Sequence, residues 1–381
     1  MNAPLTYGDI AHSLAADFSS RAAAHDADGS FPRENFTQLH QGGLLALAAS
    51  RELGGRGASL SQLGEVVGAL GAGDPATALV LSMQFIQQRA MSRPDAGWPQ
   101  ALARRLVQEA TERGALVNAL RVEPELGSPA RGGLPGTVAR RTPEGWRLSG
   151  HKMYCTGSPA LSWYTVWART DDPEPLVGSF VVPAGLPGIR IIESWDHLGL
   201  RASGSHDIVF DNVLIPLEQT LALRPPAAWL ASDPHLQAEM AVLLGSLYSG
   251  AARAARDWTR DFLQQRKPAS LGAALATLPR AQEILGRIDS MLHANARLIR
   301  SLAREVDEGI AVSAIDSSLV KSVTTNHAIE AVELALTLTS NHGLSRKNPL
   351  ERHLRDVLCG RVHTPQDDSV HIAAGRRALA L

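Results

Sequence analysis

Two side chains in the central third of the chain, Tyr154 and Thr156, have the chemistry that a flat redox cofactor needs. They lie in the segment His151-Lys-Met-Tyr-Cys-Thr-Gly157, which is typical of a β-strand. Residues two apart on an extended strand project to the same side. A bound flavin ring needs an aromatic plane to pack against and a short hydroxyl near its reactive edge. The spacing therefore predicts one wall of a flavin pocket.

The elements that position these residues follow from the hydrophobic period, which changes twice along the chain. Helical spacing over residues 1–114 predicts an N-terminal helical domain. Short Val-, Ile-, Trp- and Phe-rich runs over 115–222, separated by Gly/Pro turns, predict a central antiparallel β-barrel that contacts the flavin. Helical spacing returns over 223–381 and predicts a C-terminal four-helix bundle that also forms the oligomer interface. The predicted fold class is α+β.

The composition narrows the classes of protein to consider. The 381 residues are 44% hydrophobic and 20% charged, which suits two or three domains around a large core. The 37 basic and 38 acidic residues nearly balance, so no net positive field attracts nucleic acid. The sequence has neither an apolar run long enough to span a membrane nor the pattern of a secretion signal. We expect a cytoplasmic protein with no nucleic acid partner and no membrane span.

Metal chemistry and disulfides are not expected. The only cysteines, Cys155 and Cys359, are far apart in sequence and lack paired-ligand spacing. Neither a disulfide framework nor a zinc site is predicted.

Four short motifs follow one another through the central region. They are Glu123-Pro-Glu-Leu-Gly-Ser128, Gly150-His-Lys-Met-Tyr-Cys-Thr156, Gly199-Leu-Arg-Ala-Ser203 and Phe210-Asp-Asn-Val-Leu-Ile-Pro216. Each is weak alone, but their order and spacing resemble the acyl-CoA dehydrogenase superfamily of flavoproteins. The resemblance implies a helical, β-barrel and helical fold, bound FAD or alternatively FMN, and a homotetramer. An apolar helix face over Ala328–Leu338 adds modest support for an oligomer.

The resemblance also assigns roles to cofactor-binding residues. It implies that Tyr154 packs on the isoalloxazine ring, that Thr156 places its hydroxyl beside the reactive edge, and that Ser128 lies near the phosphates. In such proteins the loop that is here Ser340-Asn-His-Gly343 reaches the adenine half of FAD in a neighbouring subunit, so Asn341 and Gly343 are candidates.

Two departures from the family pattern concern this adenine half. Ser340 and Asn341 stand where a pair of glycines is usual. Phe262 stands near the usual place of a cofactor-contacting arginine, and Arg266 is displaced toward Pro268. Arg266 either reaches a phosphate or is a solvated arginine at a helix C-terminus.

The base of a dehydrogenase is not where the family pattern puts it. Most members carry a glutamate shortly after an Arg-Asp pair, and counting from Arg355-Asp356 places Thr364 at that position. A minority carry the glutamate on an earlier helix, where Glu239 lies one residue from the expected place. One residue turns a side chain by about 100° around a helix. Glu239 is thus a candidate base with a displaced position, or an ordinary helix residue.

His363, next to Thr364, indicates a second kind of chemistry. The chain also resembles the flavin monooxygenases of this fold, of the dibenzothiophene and sulfone type, which have a Tyr-x-Thr-Gly block and often a histidine near this position. These enzymes use reduced flavin and oxygen and have no glutamate base. An imidazole with a pKa near neutrality suits proton transfer.

The sequence leaves three functions open. A monooxygenase-type flavoenzyme would receive reduced flavin from a separate flavin reductase and act on a small molecule through His363. An acyl-CoA dehydrogenase would oxidise an acyl thioester through Glu239 and pass electrons to an electron-transfer flavoprotein. A catalytically silent relative would keep the fold for binding or assembly.

Overall fold

The computed structural model describes residues 5–126, 133–229 and 232–381, and the predicted phosphate contact Ser128 lies outside them. The N-terminal part is helical, as predicted. Its helices are α1 (Tyr7–Asp28), α2 (Arg33–Gln41), α3 (Leu60–Gly73), α4 (Pro75–Met91) and α5 (Gln100–Arg113). Capping boxes at Thr6 and Ser59 start α1 and α3, because the hydroxyl accepts a backbone N–H that the first turn leaves free.

An eight-stranded sheet forms the central part. Its strands are β1 (Leu116–Leu120), β2 (Val138–Thr142), β3 (Gly145–Lys152), β4 (Leu161–Thr170), β5 (Val177–Pro183), β6 (Ile189–Ile192), β7 (Asp207–Ile215) and β8 (Thr220–Arg224). The strand order is β6-β7-β3-β2-β4-β5-β8, with β1 paired to β4. A central sheet domain between two helical parts agrees with the predicted order, and the described strands leave β6 and β8 as separate edges of the sheet.

One detail of the sheet differs from the all-antiparallel prediction. Strand β4 runs parallel to both β1 and β2, and the other pairings are antiparallel. Parallel neighbours need a long connection instead of a tight turn. The turn residues at 142–145 indicated the β2–β3 hairpin correctly, but those at 184–188 join β5 to β6, which are not neighbours in the sheet. Turn residues gave no information on strands that are distant in sequence.

The C-terminal part returns to helices: α6 (Pro234–Gln265), α7 (Pro279–Asp307), α8 (Ala314–Thr339), α9 (Leu350–Leu358) and α10 (Asp367–Ala378). Helix α6 packs against α3, α7, α8 and α9, so it joins the two helical parts. One continuous core includes Leu63 of α3, Phe180 of β5 and Leu247 of α6.

The apolar face of α8 has a different role from the predicted one. Ala328, Ile329 and Val332 are buried within the subunit. Helix α8 packs against α6, α7 and α9, which cover this face. This face is therefore not evidence for an oligomer, and the tetramer stays a prediction. In the described ranges, no helix is long and apolar enough to cross a membrane.

Candidate functional site

Tyr154 and Thr156 occupy a turn at the end of β3. The strand ends at Lys152, and Tyr154 takes the left-handed conformation with φ of 54°. The expectation of an extended segment was therefore wrong. The two residues still lie on the accessible side, because Tyr154 is 49% exposed, Thr156 is partly exposed and Cys155 between them is buried.

A chain of hydroxyl groups begins at Thr156. Its Oγ1 lies 3.0 Å from Oγ of Ser205, which lies 2.8 Å from Oγ of Ser203. The amide of Asn118 donates to the carbonyl oxygen of Thr156 at 3.0 Å. Both serines are buried, so the partly exposed Thr156 hydroxyl is the outer end of the chain. Sequence reasoning gave no role to Ser203 or Ser205 here, although both lie in or next to a recognised motif.

Three rings cluster beside this turn. Trp195 and His197 stack with their centroids 3.7 Å apart, and the ring of Tyr154 meets both edge to face, at 6.3 and 5.7 Å. The indole N–H of Trp195 donates to the carbonyl oxygen of Leu200. Burial lowers the pKa of His197. The cluster fixes the half-exposed ring of Tyr154 from one side, and sequence reasoning assigned no role to its other two members.

Glu123, the first residue of the motif that begins Glu123-Pro, is held to the sheet by a buried ion pair. Lys152 Nζ donates to Oε1 of Glu123 at 2.5 Å, and both side chains are almost fully buried. Glu123 also accepts the backbone N–H groups of Gly136 and Thr137. Interaction with Lys152 and these donors lowers the pKa of Glu123 against the opposing effect of burial. The motif's glutamate is therefore structural.

His363 lies in the segment between α9 and α10, where two buried side chains hold it. Oη of Tyr248 on α6 lies 2.8 Å from Nδ1 of His363. Lys321 on α8 is fully buried, and its Nζ donates to the carbonyl oxygens of Gly360, His363 and Pro365. Both contacts connect residues far apart in sequence, and no local motif indicated them.

The electrostatics of His363 differ from the expectation of a pKa near neutrality. Burial, and secondly the charge of Lys321, lower the pKa of His363 to about 4. Burial raises the pKa of Tyr248 well above its ordinary value, so its phenol keeps the proton. At neutral pH the imidazole is uncharged and can hold its proton on only one nitrogen.

Glu239 lies on α6 in an ion pair. The Nε of Arg89 on α4 donates to its Oε1 at 2.7 Å, and Glu239 is 3% exposed. Burial raises the pKa of Glu239 and Arg89 opposes that shift. A second ion pair joins Arg93, just after α4, to Asp233, the N-cap residue of α6. Glu239 is thus bound to an arginine of its own chain.

A small cavity of about 200 Å³ lies beside Thr364, between the starts of α6, α8 and α10. Its described lining combines apolar side chains with hydroxyl and amide groups and includes no ionisable side chain. The polar members are Ser232, Gln237, Ser318, Thr364, Gln366 and Ser369.

The residues predicted to reach the cofactor of a neighbouring subunit fall into one region. Phe262 at the end of α6 lies 5.1 Å from the ring of His342, so the α6 end and the Ser340–His342 loop are adjacent. Arg266 and Asn341 are exposed. Gly343 is buried, and a Cβ there would meet the Thr339 hydroxyl at 2.2 Å. Its glycine is therefore explained by packing against α8.

The candidate site has two parts, a sheet side and a helical side, which are formed by different elements. Tyr154, Thr156 and the serines form the sheet side, with an exposed ring and a hydroxyl that fit the face and edge of a flavin. His363, Thr364 and Tyr248 form the helical side. Glu239 belongs to the interface between α4 and α6.

Comparison with known proteins gives matches along nearly the whole chain. Models of the acyl-CoA dehydrogenase N-terminal, middle and C-terminal domains match residues 9–91, 121–213 and 242–367 in that order. The putative acyl-CoA dehydrogenase YdbM of Bacillus subtilis is 30% identical, over 94% of this chain and 92% of its own length.

Two further relatives carry other names. L-evernosamine nitrososynthase of a Micromonospora species is 28% identical, over 100% of this chain and 93% of its own length. A structure of KijD3 in complex with FMN and an amino-keto sugar linked to dTDP has a TM-score of 0.83 and 27% identity, covering 99% of this chain and 95% of that one.

Proposed function

The chain belongs to the acyl-CoA dehydrogenase family of flavin-dependent oxidoreductases, and from this premise we propose that it is a monooxygenase that works with reduced flavin. The observation that carries the proposal is His363, held by Tyr248 and Lys321, beside a threonine where dehydrogenases have their glutamate. The similarity to an FMN-bound structure and to a nitrososynthase supports it.

The flavin ring would pack on Tyr154 with the Thr156 hydroxyl at its edge. FMN suits this chain better than FAD, because Phe262 and the Ser340-Asn341 pair replace the arginine and glycines that the resemblance associates with the adenine half. Reduced flavin, when bound, supplies two electrons for the reaction of oxygen. One oxygen atom enters the substrate and the other leaves as water, taking up two protons.

His363 would act as a neutral hydrogen-bond donor. The phenol of Tyr248 keeps its proton, and donation from its Oη to Nδ1 of His363 would leave the proton of the imidazole on Nε2. That N–H can orient oxygen or substrate through a hydrogen bond. A threonine hydroxyl at position 364 is too weak a base to remove a carbon-bound proton.

The substrate would be a small molecule with an oxidisable nitrogen. The cavity beside Thr364 has no ionisable side chain among its described lining, which suits a neutral polar ligand. Primary amines and amino sugars, bound as the unprotonated base that can be oxidised at nitrogen, are the first class to examine, because of the similarity to nitrososynthases.

The test is oxygen consumption and product formation with reduced FMN and a panel of such amines. A flavin reductase supplies the reduced FMN. His363→Ala should abolish most product while flavin affinity is kept, and His235→Ala, which removes an exposed histidine at the start of α6, should leave both unchanged. Equal product from the His363 variant and the parent would refute the proposal.

A displaced-base dehydrogenase is the second candidate, because Glu239 is a buried carboxyl with a raised pKa, as a base for a thioester requires. In that case an acyl-CoA would bleach bound flavin without oxygen, Glu239→Gln would stop the bleaching, and an electron-transfer flavoprotein would take the electrons. Failure to bind FAD or FMN at all would instead support the silent relative. A homotetramer stays part of the proposal by resemblance.

A further inference from the structure

A second cavity, of about 510 Å³, lies between the C-terminal half of α1, the segment around Leu198 and the start of α9. Its charged lining is mostly basic. The basic members are Arg201, Arg346, Lys347, Arg352 and Arg355, and the acidic ones are Asp26 and Glu351. A volume of this size suits a small-molecule ligand.

The two acids are already paired. Arg355 donates to both carboxylate oxygens of Asp26 and to both of Glu351, at 2.6 to 3.1 Å. Arg201 donates to Asp196 and to backbone carbonyl oxygens. The acids therefore do not neutralise the remaining three cations of the cavity.

Arg352 is the most informative of these three. It is only 6% exposed, and its Nε is buried with no hydrogen-bond partner. Within the described part of the chain, its guanidinium forms no ion pair or hydrogen bond. Its charge partly offsets the burial that raises the pKa values of Asp74 and Asp356, but it donates to neither. A buried guanidinium N–H without an acceptor is costly unless a ligand supplies one.

The backbone adds donors at the same place. Helix α9 starts at Leu350, and no side chain in the described part of the protein caps it, so the positive end of its dipole lies at the cavity wall formed by Pro349 and Glu351. Arg346 and Lys347 are exposed in the loop just before it. We propose that this cavity binds the phosphate group of a small organic phosphate, through Arg352, the two exposed cations and the α9 N-terminus.

The ligand's organic part would lie toward His197. This residue lines the cavity and stacks on Trp195, so the wall on that side is aromatic. Arg352 offers the planar fork of donors that matches two phosphate oxygens. Arg346 and Lys347 add positive charge, and neither side chain has a partner among the described residues that a ligand would have to displace. The site is separate from the cavity beside Thr364 and does not depend on the proposed oxygenation.

Calorimetric titration of the full chain without added flavin tests this site. Inorganic phosphate and glycerol 3-phosphate are the probes, with sodium chloride added to keep the ionic strength constant. We expect saturable binding of both, tighter for glycerol 3-phosphate. The double variant Arg346→Gln/Lys347→Gln should bind at least about tenfold more weakly.

The matched control removes two positive charges elsewhere. Arg140 and Arg141 are exposed neighbours on β2, and Arg140→Gln/Arg141→Gln should bind like the parent. Arg352→Lys should weaken binding while keeping the melting temperature, which separates loss of the donor fork from misfolding. Absence of saturable binding, equal weakening in both double variants, or binding of inorganic phosphate but not of the ester would overturn the proposal.

Discussion

The backbone N–H of Leu200 donates to the carboxylate of Asp356 at 2.7 Å, and this bond joins the two sides of the candidate site. Leu200, with φ of 51°, leads into the short helix that carries Ser203. Asp356 lies on α9, which leads to His363. Gly199 permits the approach, because a Cβ there would meet the carbonyl oxygen of Arg355 at 2.1 Å.

Asp356→Asn should change the pH dependence of stability. Burial raises the pKa of Asp356 to about 7, above the ordinary value near 3.9, so the folded state holds a proton that the unfolded state releases. The parent therefore loses stability as pH rises from about 4 to about 7. Over this window the free energy of unfolding of the variant, minus that of the parent, should rise by up to about 4 kcal/mol. Urea unfolding at several pH values measures it, and a pH-independent difference would contradict the expectation.

Asp356→Ala supplies the comparison. It removes the acceptor of the Leu200 N–H as well as the titrating group. It should be less stable than the Asn variant at every pH, by about 1 to 3 kcal/mol for an unsatisfied buried donor.

Tyr154→Ala should weaken flavin binding with little effect on the flavin-free protein. An aromatic contact contributes about 0.5 to 1.5 kcal/mol beyond its area, which corresponds to roughly two- to tenfold in affinity. The ring is 49% exposed, so its removal costs little packing. Fluorescence titration with FMN gives the affinity and thermal unfolding gives the stability. Tyr154→Phe should bind like the parent, and unchanged affinity in the alanine variant would remove Tyr154 from the flavin wall.

The sheet side of this site could be predicted because its residues are close in sequence. Tyr154 and Thr156 share one motif, and their order relative to Ser203 follows from neighbouring motifs. The predicted extended conformation of Tyr154 was wrong, because a left-handed φ at a non-glycine residue depends on surrounding contacts.

The helical side could be predicted only by position. His363 was found by counting along the sequence, but the contact with Tyr248 spans 115 residues and that with Lys321 spans 42. The pKa of about 4 depends on burial by those distant elements, so a free imidazole was the wrong reference. The ion pair between Arg89 and Glu239 spans 150 residues, so it could not be predicted from the sequence either.

Glu239→Gln should lower the free energy of unfolding but change the rate of oxygenation little. The change leaves Arg89, which is 21% exposed, without its carboxylate, and we expect a loss of about 1 to 3 kcal/mol in the free energy of unfolding. The double variant Arg89→Met/Glu239→Met should recover most of it, because no unpaired charge is then buried. Product formation should change less than about threefold, whereas removal of a catalytic base costs roughly a hundredfold or more.

Lys321→Met should slow product formation while flavin affinity is kept. The variant removes the donor that holds the carbonyl oxygens of Gly360, His363 and Pro365, so the imidazole is no longer fixed. A loss of 1 Å in position can cost about a hundredfold in rate. A purely structural role would leave the titration of His363 unchanged. Because the charge of Lys321 helps to lower the pKa of His363 to about 4, the methionine variant should move that pKa toward its ordinary value, and the acid limb of the pH–rate profile should move to higher pH with it. Titration of the histidine by NMR in the parent and the variant separates the two cases: a rate loss with no shift would make Lys321 a structural residue only.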